Sequence, residues 1–347
     1  MEDRERMLML EIINWMRVFN VYSEGNRFII RGNFYPGVDF EVMKQRLNRY
    51  ARYVRIHQGT DHDILEVELK KQRFHIPRIN LILFILTIFT TLLAGTLMAG
   101  YNPFRNPLFL YKGVPFSASL MLILGCHELG HFLMAKKHGV DATLPYFIPA
   151  PTFIGTFGAF IRIRSPIQHR AALVEIGAAG PIAGFIVALP ALFIGLSLSD
   201  VVYNLPDTGL RLGESLMMKI ATSIMFPNLP EGADIVLHPI GFAAWIGMIV
   251  TMLNLIPIGQ LDGGHIAYAL LGKSYIKVAW SAFFALLVLG IFSVNWLVWA
   301  ALVFFLIRVK HPPVLDYYRP LSLKEILIGI VALIIFILTF VPVPFRI

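Results

Sequence analysis

Within GCHELGHFLMAKKHG, residues 125–139, two histidines and a glutamate fall inside five positions of an otherwise apolar run. His127 and His131 stand four apart, so a helix turns both imidazoles to one face, where they can ligate a single ion. Glu128, next to the first of them, can serve as general base toward a water on that ion. Neutral imidazole suits zinc, which lowers the pKa of its water to about 7 and so makes hydroxide available at neutral pH. Ionisable groups are costly at membrane depth, and a metal with its ligands and water is one arrangement in which they satisfy each other. The plainer reading is a helix end with solvated histidines; the apolar residues around the motif weigh against it.

A catalytic zinc wants a third protein ligand. His138 shares the face of His131, but seven helical residues rise about 10 Å, too far for one ion. It reads instead as a residue closing the helix before Gly139, favourable at the negative end of the dipole. No glutamate occurs between Glu128 and Glu175. Glu175 reads equally as an interfacial acid paired with a cation and as a functional group. Asp262 sits in NLIPIGQLDGGH, where Pro257 and Gly259 break a helix and Gly263 and Gly264 allow a sharp turn. Such a break is tolerated at membrane depth where it lines a cavity. Asp262 is the expected third ligand.

The elements that must bring these residues together follow from composition. The chain has 347 residues, 56% of them hydrophobic and 15% charged, with a mean hydropathy of +0.67. Soluble domains carry about 25% charged residues. Residues 1–78 hold 14 Lys/Arg and 11 Asp/Glu, nearly half of all the charge. The expected fold is a polytopic α-helical membrane protein of about six to seven spans with a small α+β cytoplasmic domain at its amino terminus. The expected domains are a regulatory module over 1–78, a core over 79–275 and carboxy-terminal membrane helices over 276–347. In the module, RERMLMLEIINWMRVF has helical spacing and RFIIRGNF alternates as a strand. DFEVMKQRLNRYA reads as a helix capped by Asp39, and YVRIHQGTDHDILEVELK as two strands about a polar turn.

Apolar runs then cover 79–101, 114–135, 171–199, 239–258, 278–307 and 326–345. Lys70, Lys71, Arg73 and Arg78 place the amino terminus in the cytoplasm. Lys136, Lys137, Arg162, Arg164 and Arg170 return the chain there, and the acid-rich segment 200–238 suits the outside. The run 278–307 is expected to be a hairpin broken near Asn295, which gives seven spans. This path brings Asp262 and the histidine pair to the same, cytoplasmic, side. The net charge of +8 is then a property of cytoplasmic loops, and no nucleic-acid partner is implied. Cys126 is the single cysteine, so no internal disulfide can form; it reads as a small buried residue off the ligand face. The charged first residues do not read as a signal peptide. Gly177, Gly180 and Gly184 read as close helix packing, against the helix of the histidines. Thr156 to Arg164 alternates as a strand, either closed within a hairpin or exposing an edge to an unwound substrate.

With these residues in hand, the chain resembles the site-2 protease family of intramembrane zinc metalloproteases, and in particular the subgroup without a PDZ domain found in plants, cyanobacteria and other prokaryotes. HELGH (127–131), GTFGAFIRIRSP (155–166), GAAGPIAG (177–184) and NLIPIGQLDGG (254–264) carry the resemblance, in order. Gly259 stands where many relatives have a second proline. The resemblance implies one zinc per chain held by His127, His131 and Asp262, with Glu128 activating water. It implies that Asn254 helps position substrate or stabilise the intermediate. It also implies membrane-anchored protein substrates in a lipid bilayer and regulated intramembrane proteolysis, in a multi-pass protein of the cell membrane. A metal-ion transporter using the same His/Asp cluster is the alternative, and it would not need Glu128.

Overall fold

The computed structural model describes residues 3–24, 27–59, 61–69, 76–203, 211–230, 232–312, 314 and 316–346. The chain forms two compact units, Met1–His75 and Ile76–Ile347. Of the cationic residues used above for orientation, Lys70, Lys71 and Arg73 lie outside the described residues, as does 204–210 of the acid-rich segment.

The first unit is a small α+β domain: α1 (Asp3–Ile13), β1 (Met16–Glu24), β2 (Arg27–Phe34), α2 (Phe40–Leu47), β3 (Ala51–His57) and β4 (Asp63–Leu69). Its antiparallel sheet has the order β1-β2-β4-β3. Alternation in β2 buries Phe28 and Ile30 with Leu65 and Val67 of β4, against Leu8 and Ile12 of α1 and Met43 and Leu47 of α2. The Asp39 carboxylate caps α2, accepting from the backbone N–H groups of Glu41 and Val42 at 2.9 and 3.2 Å. The helical spacing read through RERMLMLEIINWMRVF holds only to Ile13. Met16 pairs with Phe34 and Val18 with Gly32, because a strand there completes the long-range ladder with β2, and tertiary pairing overrides local spacing.

The second unit contains α3 (Arg78–Met98), a 3₁₀ turn (Pro107–Gly113), α4 (Val114–Lys137), β5 (Tyr146–Pro149), β6 (Thr156–Phe160) and α5 (Arg170–Ser197). Then come β7 (Asp200–Tyr203), β8 (Arg211–Leu212), α6 (Leu216–Met225), β9 (Ala233–Val236), α7 (Pro239–Asn254) and α8 (Asp262–Leu271). It ends with α9 (Tyr275–Leu289), α10 (Val294–Leu302), α11 (Leu323–Thr339) and β10 (Phe345–Arg346). Four helical segments among the described residues are long and apolar enough to cross a membrane: Arg78–Met98, Pro107–Lys137, Arg170–Ser197 and Asp262–Leu289. Asp262–Leu289 joins α8 to α9 through a 3₁₀ turn, Gly272–Ser274, so the boundary expected at 275/276 falls inside it. At 16 residues, α7 rises about 24 Å, short of a typical hydrocarbon core of about 30 Å. The run 278–307 is divided at 290–293, just before Asn295. Its limbs pack together through Phe283 and Leu286 of α9 and Trp296 and Ala300 of α10.

Helix α5 is the hub, touching α4, α7, α8 and α11. β5 and β6 form a two-stranded hairpin tied to α3, where Thr90 Oγ1 donates to the Gly155 carbonyl at 2.6 Å and Asn80 Nδ2 to that of Pro145 at 2.9 Å.

Candidate metal centre

The 24 residues of α4 carry the histidines to a buried position two turns from the helix end. Gly139 adopts φ +64° just beyond His138 and closes the helix in the left-handed conformation that favours glycine. His127, Glu128 and His131 are all buried. Asp262 arrives from the other direction. α7 ends at Asn254 because Pro257 has no N–H to continue the ladder and disfavours helical geometry at Ile256. The turn from 255 to 261 leads into α8, whose first residue is Asp262, where a carboxylate is favourable at the positive end of the helix. Gly263 is required by a close approach, since a Cβ there would overlap the Leu255 carbonyl. Arg170, at the start of α5, holds the other end of α8: its Nε donates to the Ala269 carbonyl at 2.6 Å and its Nη2 to that of Leu270 at 3.4 Å.

These elements bring three donors to one point. His131 Nε2 lies 3.2 Å from His127 Nε2 and 3.2 Å from Asp262 Oδ2, and His127 Nε2 lies 3.3 Å from the same oxygen. No other group of three such side chains converges in this way among the described residues. The triangle tests whether a zinc would fit. Ligands about 2.0–2.1 Å from a tetrahedral zinc stand about 3.3 Å from one another, which matches all three edges. His131 Nδ1 lies 2.8 Å from the Ile176 carbonyl, so Nδ1 carries the proton and the Nε2 lone pair faces the triangle, the arrangement metal-ligating histidines adopt. Donor type, tautomer and spacing all fit zinc.

Around the triangle, Asn254 Nδ2 lies 3.3 Å from His127 Nε2, so four of the five expected site residues meet. Glu128 follows His127 on α4, which packs against β6. The strand expected from Thr156 to Arg164 is shorter, ending at Phe160. Beyond it the hairpin persists as single bonds, with Thr143 N–H donating to the Arg162 carbonyl at 3.0 Å and Arg164 N–H to that of Asp141 at 2.8 Å. β6 pairs with β5 on one side only, and no strand pairs its other edge among the described residues. Glu175 is a cation-paired acid, accepting from His138 Nε2 at 2.9 Å, Lys137 Nζ at 3.3 Å and Lys324 Nζ at 2.5 Å. It ties the ends of α4 and α11 to α5. Cys126 is half-buried and outside the triangle.

The sequence reading misses two supports. In the sequence Arg170 reads only as part of a basic loop. His265, three residues after Asp262 on the same face of α8, has its Nδ1 2.6 Å from His311 Nε2. His311 Nδ1–H donates to the Pro312 carbonyl at 2.5 Å, which leaves Nε2 to accept from His265. Burial lowers the pKa of His311 below the ordinary imidazole value, in keeping with this neutral pair. The i, i+3 spacing from Asp262 is a signal that could have found His265; no pattern marks His311.

Apolar helices around a cluster of two buried histidines and a half-buried carboxylate define a helical membrane protein with a metal site of the two-histidine, one-carboxylate kind. Residues 115–291, half of the chain, match the model of Peptidase family M50, and the chain belongs to that family of site-2 proteases. It is 36% identical over 247 residues to a protein of Arabidopsis thaliana named "Probable zinc metalloprotease EGY2, chloroplastic", covering 70% of this chain and 44% of that protein. Its similarity to the protein of the same name in Oryza sativa subsp. indica is 33% over 267 residues, 75% of this chain and 49% of the other. "Probable zinc metalloprotease EGY1, chloroplastic" of Arabidopsis thaliana is 32% identical over 68% of this chain and 44% of its own length. The chain thus spans about half the length of the curated relatives it matches. No solved structure gives a significant match.

Proposed function

We propose that the chain is an intramembrane zinc endopeptidase that hydrolyses peptide bonds in or near the transmembrane segments of membrane-anchored proteins, as a step of regulated intramembrane proteolysis. The observation that carries this reading is the donor triangle, whose edges of 3.2 and 3.3 Å suit one tetrahedral zinc, beside a glutamate on the same helix. Family membership and the names of the relatives support it. His127, His131 and Asp262 would hold one zinc per chain, and the chemistry gained is Lewis acidity, which brings the pKa of adjacent water to about 7.

The chain's own groups do the rest. Glu128 takes the proton of the attacking water on its carboxylate and returns it to the leaving amine. Asn254 Nδ2, aimed at the cluster, can donate to the oxyanion as charge develops on the substrate. The unpaired edge of β6, a strand packed against α4, can take an unwound substrate by strand addition, which exposes amides that a helical substrate hides. The module over 1–78 acts as a regulatory domain. The chain threads the cell membrane in seven spans with its amino terminus and the metal cluster toward the cytoplasm, which gives water access to the site.

The test is cleavage of a panel of single-span membrane proteins by the purified full chain in lipid, comparing the wild type with Glu128→Ala and measuring bound zinc in both. Cleavage by the wild type alone, with zinc in both forms, supports the reading. Equal cleavage by both forms refutes the role of Glu128. Zinc flux across the vesicle with no cleavage would favour a transporter.

A further inference from the structure

Helix α5 carries two kinds of glycine. At Gly195 a Cβ would run into the backbone of Gly241 on α7, the ordinary reason for a small residue between closely packed helices. At Gly180 it would meet no backbone first. The three nearest atoms are Nε2, Cδ2 and Cε1 of the His131 ring, all far inside van der Waals contact. The added carbon would fall on the face of the imidazole, directly over Nε2, the nitrogen that belongs to the donor triangle. Gly184, one turn further, is a milder case, with a Cβ 3.1 Å from His127 Nδ1 and 3.2 Å from His127 Cβ.

The His131 ring has little room to retreat. Its Nδ1 is held 2.8 Å from the Ile176 carbonyl, one turn before Gly180 on the same helix, and its ring is buried. A methyl group at 180 must either break that hydrogen bond or swing Nε2 off the triangle. We infer that Gly180 is a positioning residue of the metal centre: α5 fixes His131 by accepting its Nδ1–H at Ile176 and by leaving the volume of one side chain empty at 180 for the ring face over Nε2. Gly184 seats His127 in the same manner with a smaller effect. The inference rests on the proposed function insofar as the triangle is a zinc site.

The experiment measures zinc affinity, the visible spectrum of the cobalt-substituted site and thermal unfolding of the full chain in detergent. The forms compared are wild type, Gly180→Ala, Gly184→Ala, His131→Ala and the double variant Gly180→Ala/His131→Ala. Gly180→Ala should weaken zinc by about 10- to 100-fold or more, the range seen when a ligand loses its support, and change the cobalt spectrum. Gly184→Ala should weaken it less. In the His131→Ala background the methyl enters vacated space, so adding Gly180→Ala should change neither zinc affinity nor the melting temperature. This pair decides the matter even if Gly180→Ala alone fails to fold. Wild-type zinc affinity in Gly180→Ala, or an equal loss from it with and without the His131 ring, overturns the inference and leaves the function standing. A wild type that binds no zinc overturns both.

Discussion

The two units differ in what they bury besides apolar side chains. In the first, the fully buried side chains form an apolar list: Leu8, Ile12, Ile30, Met43, Leu65 and Val67. In the second, Thr87, Thr91, His127, Glu128, His131, Glu175 and Thr251 are buried, while Ile85, Leu133 and Phe284 are more than half exposed. Water sorts the first unit, so its apolar pattern marks the inside. A bilayer is as apolar as leucine, so in the second unit the inside is marked by groups that need partners there. Thr91 illustrates the rule: its Oγ1 lies 2.7 Å from Ser117 Oγ, joining α3 to α4.

The contrast is broken most easily by one substitution in each unit. Ile30→Ala should cost the first unit about 2–5 kcal/mol, as for other buried large-to-small changes. Ile85→Ala, at a side chain 55% exposed, should stay within about 0.5 kcal/mol. Hydrogen exchange of the β2 and α3 amides in lipid reads the two separately; equal losses would mean that α3 does not face lipid there. A smaller effect is expected at Glu175, whose carboxylate is 5% exposed while Lys137 and Lys324 are mostly in solvent. The lysines can rehydrate when it is lost, so Glu175→Ala should cost about 1–3 kcal/mol without loss of zinc, measured by thermal unfolding and metal content. Zinc loss would mean that this cluster also shapes the triangle. A smaller loss than at Glu175 is expected at the Asp39 cap of α2: Asp39→Ala should cost about 1 kcal/mol, seen as faster exchange of the α2 amides alone.

How much was legible follows from the same contrast. The i, i+4 histidines, the helix break at Pro257 and the acid after it are local patterns and were readable as such; that they belong together across 131 positions rests on the path of the chain set by its basic loops and on the family resemblance. Asp39 as a cap and β2 as an alternating strand were readable for the same reason. The end of α1 was not, because β1 exists through pairing with β2, and helical spacing ran on past Ile13 in the sequence. The acid-rich segment 200–238 gave no hint of α6, a helix of ten residues. The glycines of α5 read correctly as close packing, but sequence alone could not say that the thing packed at 180 is an imidazole. Arg170 on the α8 carbonyls and His311 on His265 are contacts across 99 and 46 residues, and spacing carries no information over such distances.

The central claim is that residues 131 positions apart make one zinc site. The most direct measurement is zinc per chain in purified full-length protein in lipid, for the wild type and Asp262→Ala, with folding checked by thermal unfolding. The account predicts one zinc per wild-type chain and its loss from the folded variant. A folded Asp262→Ala protein that keeps zinc with wild-type affinity would contradict it.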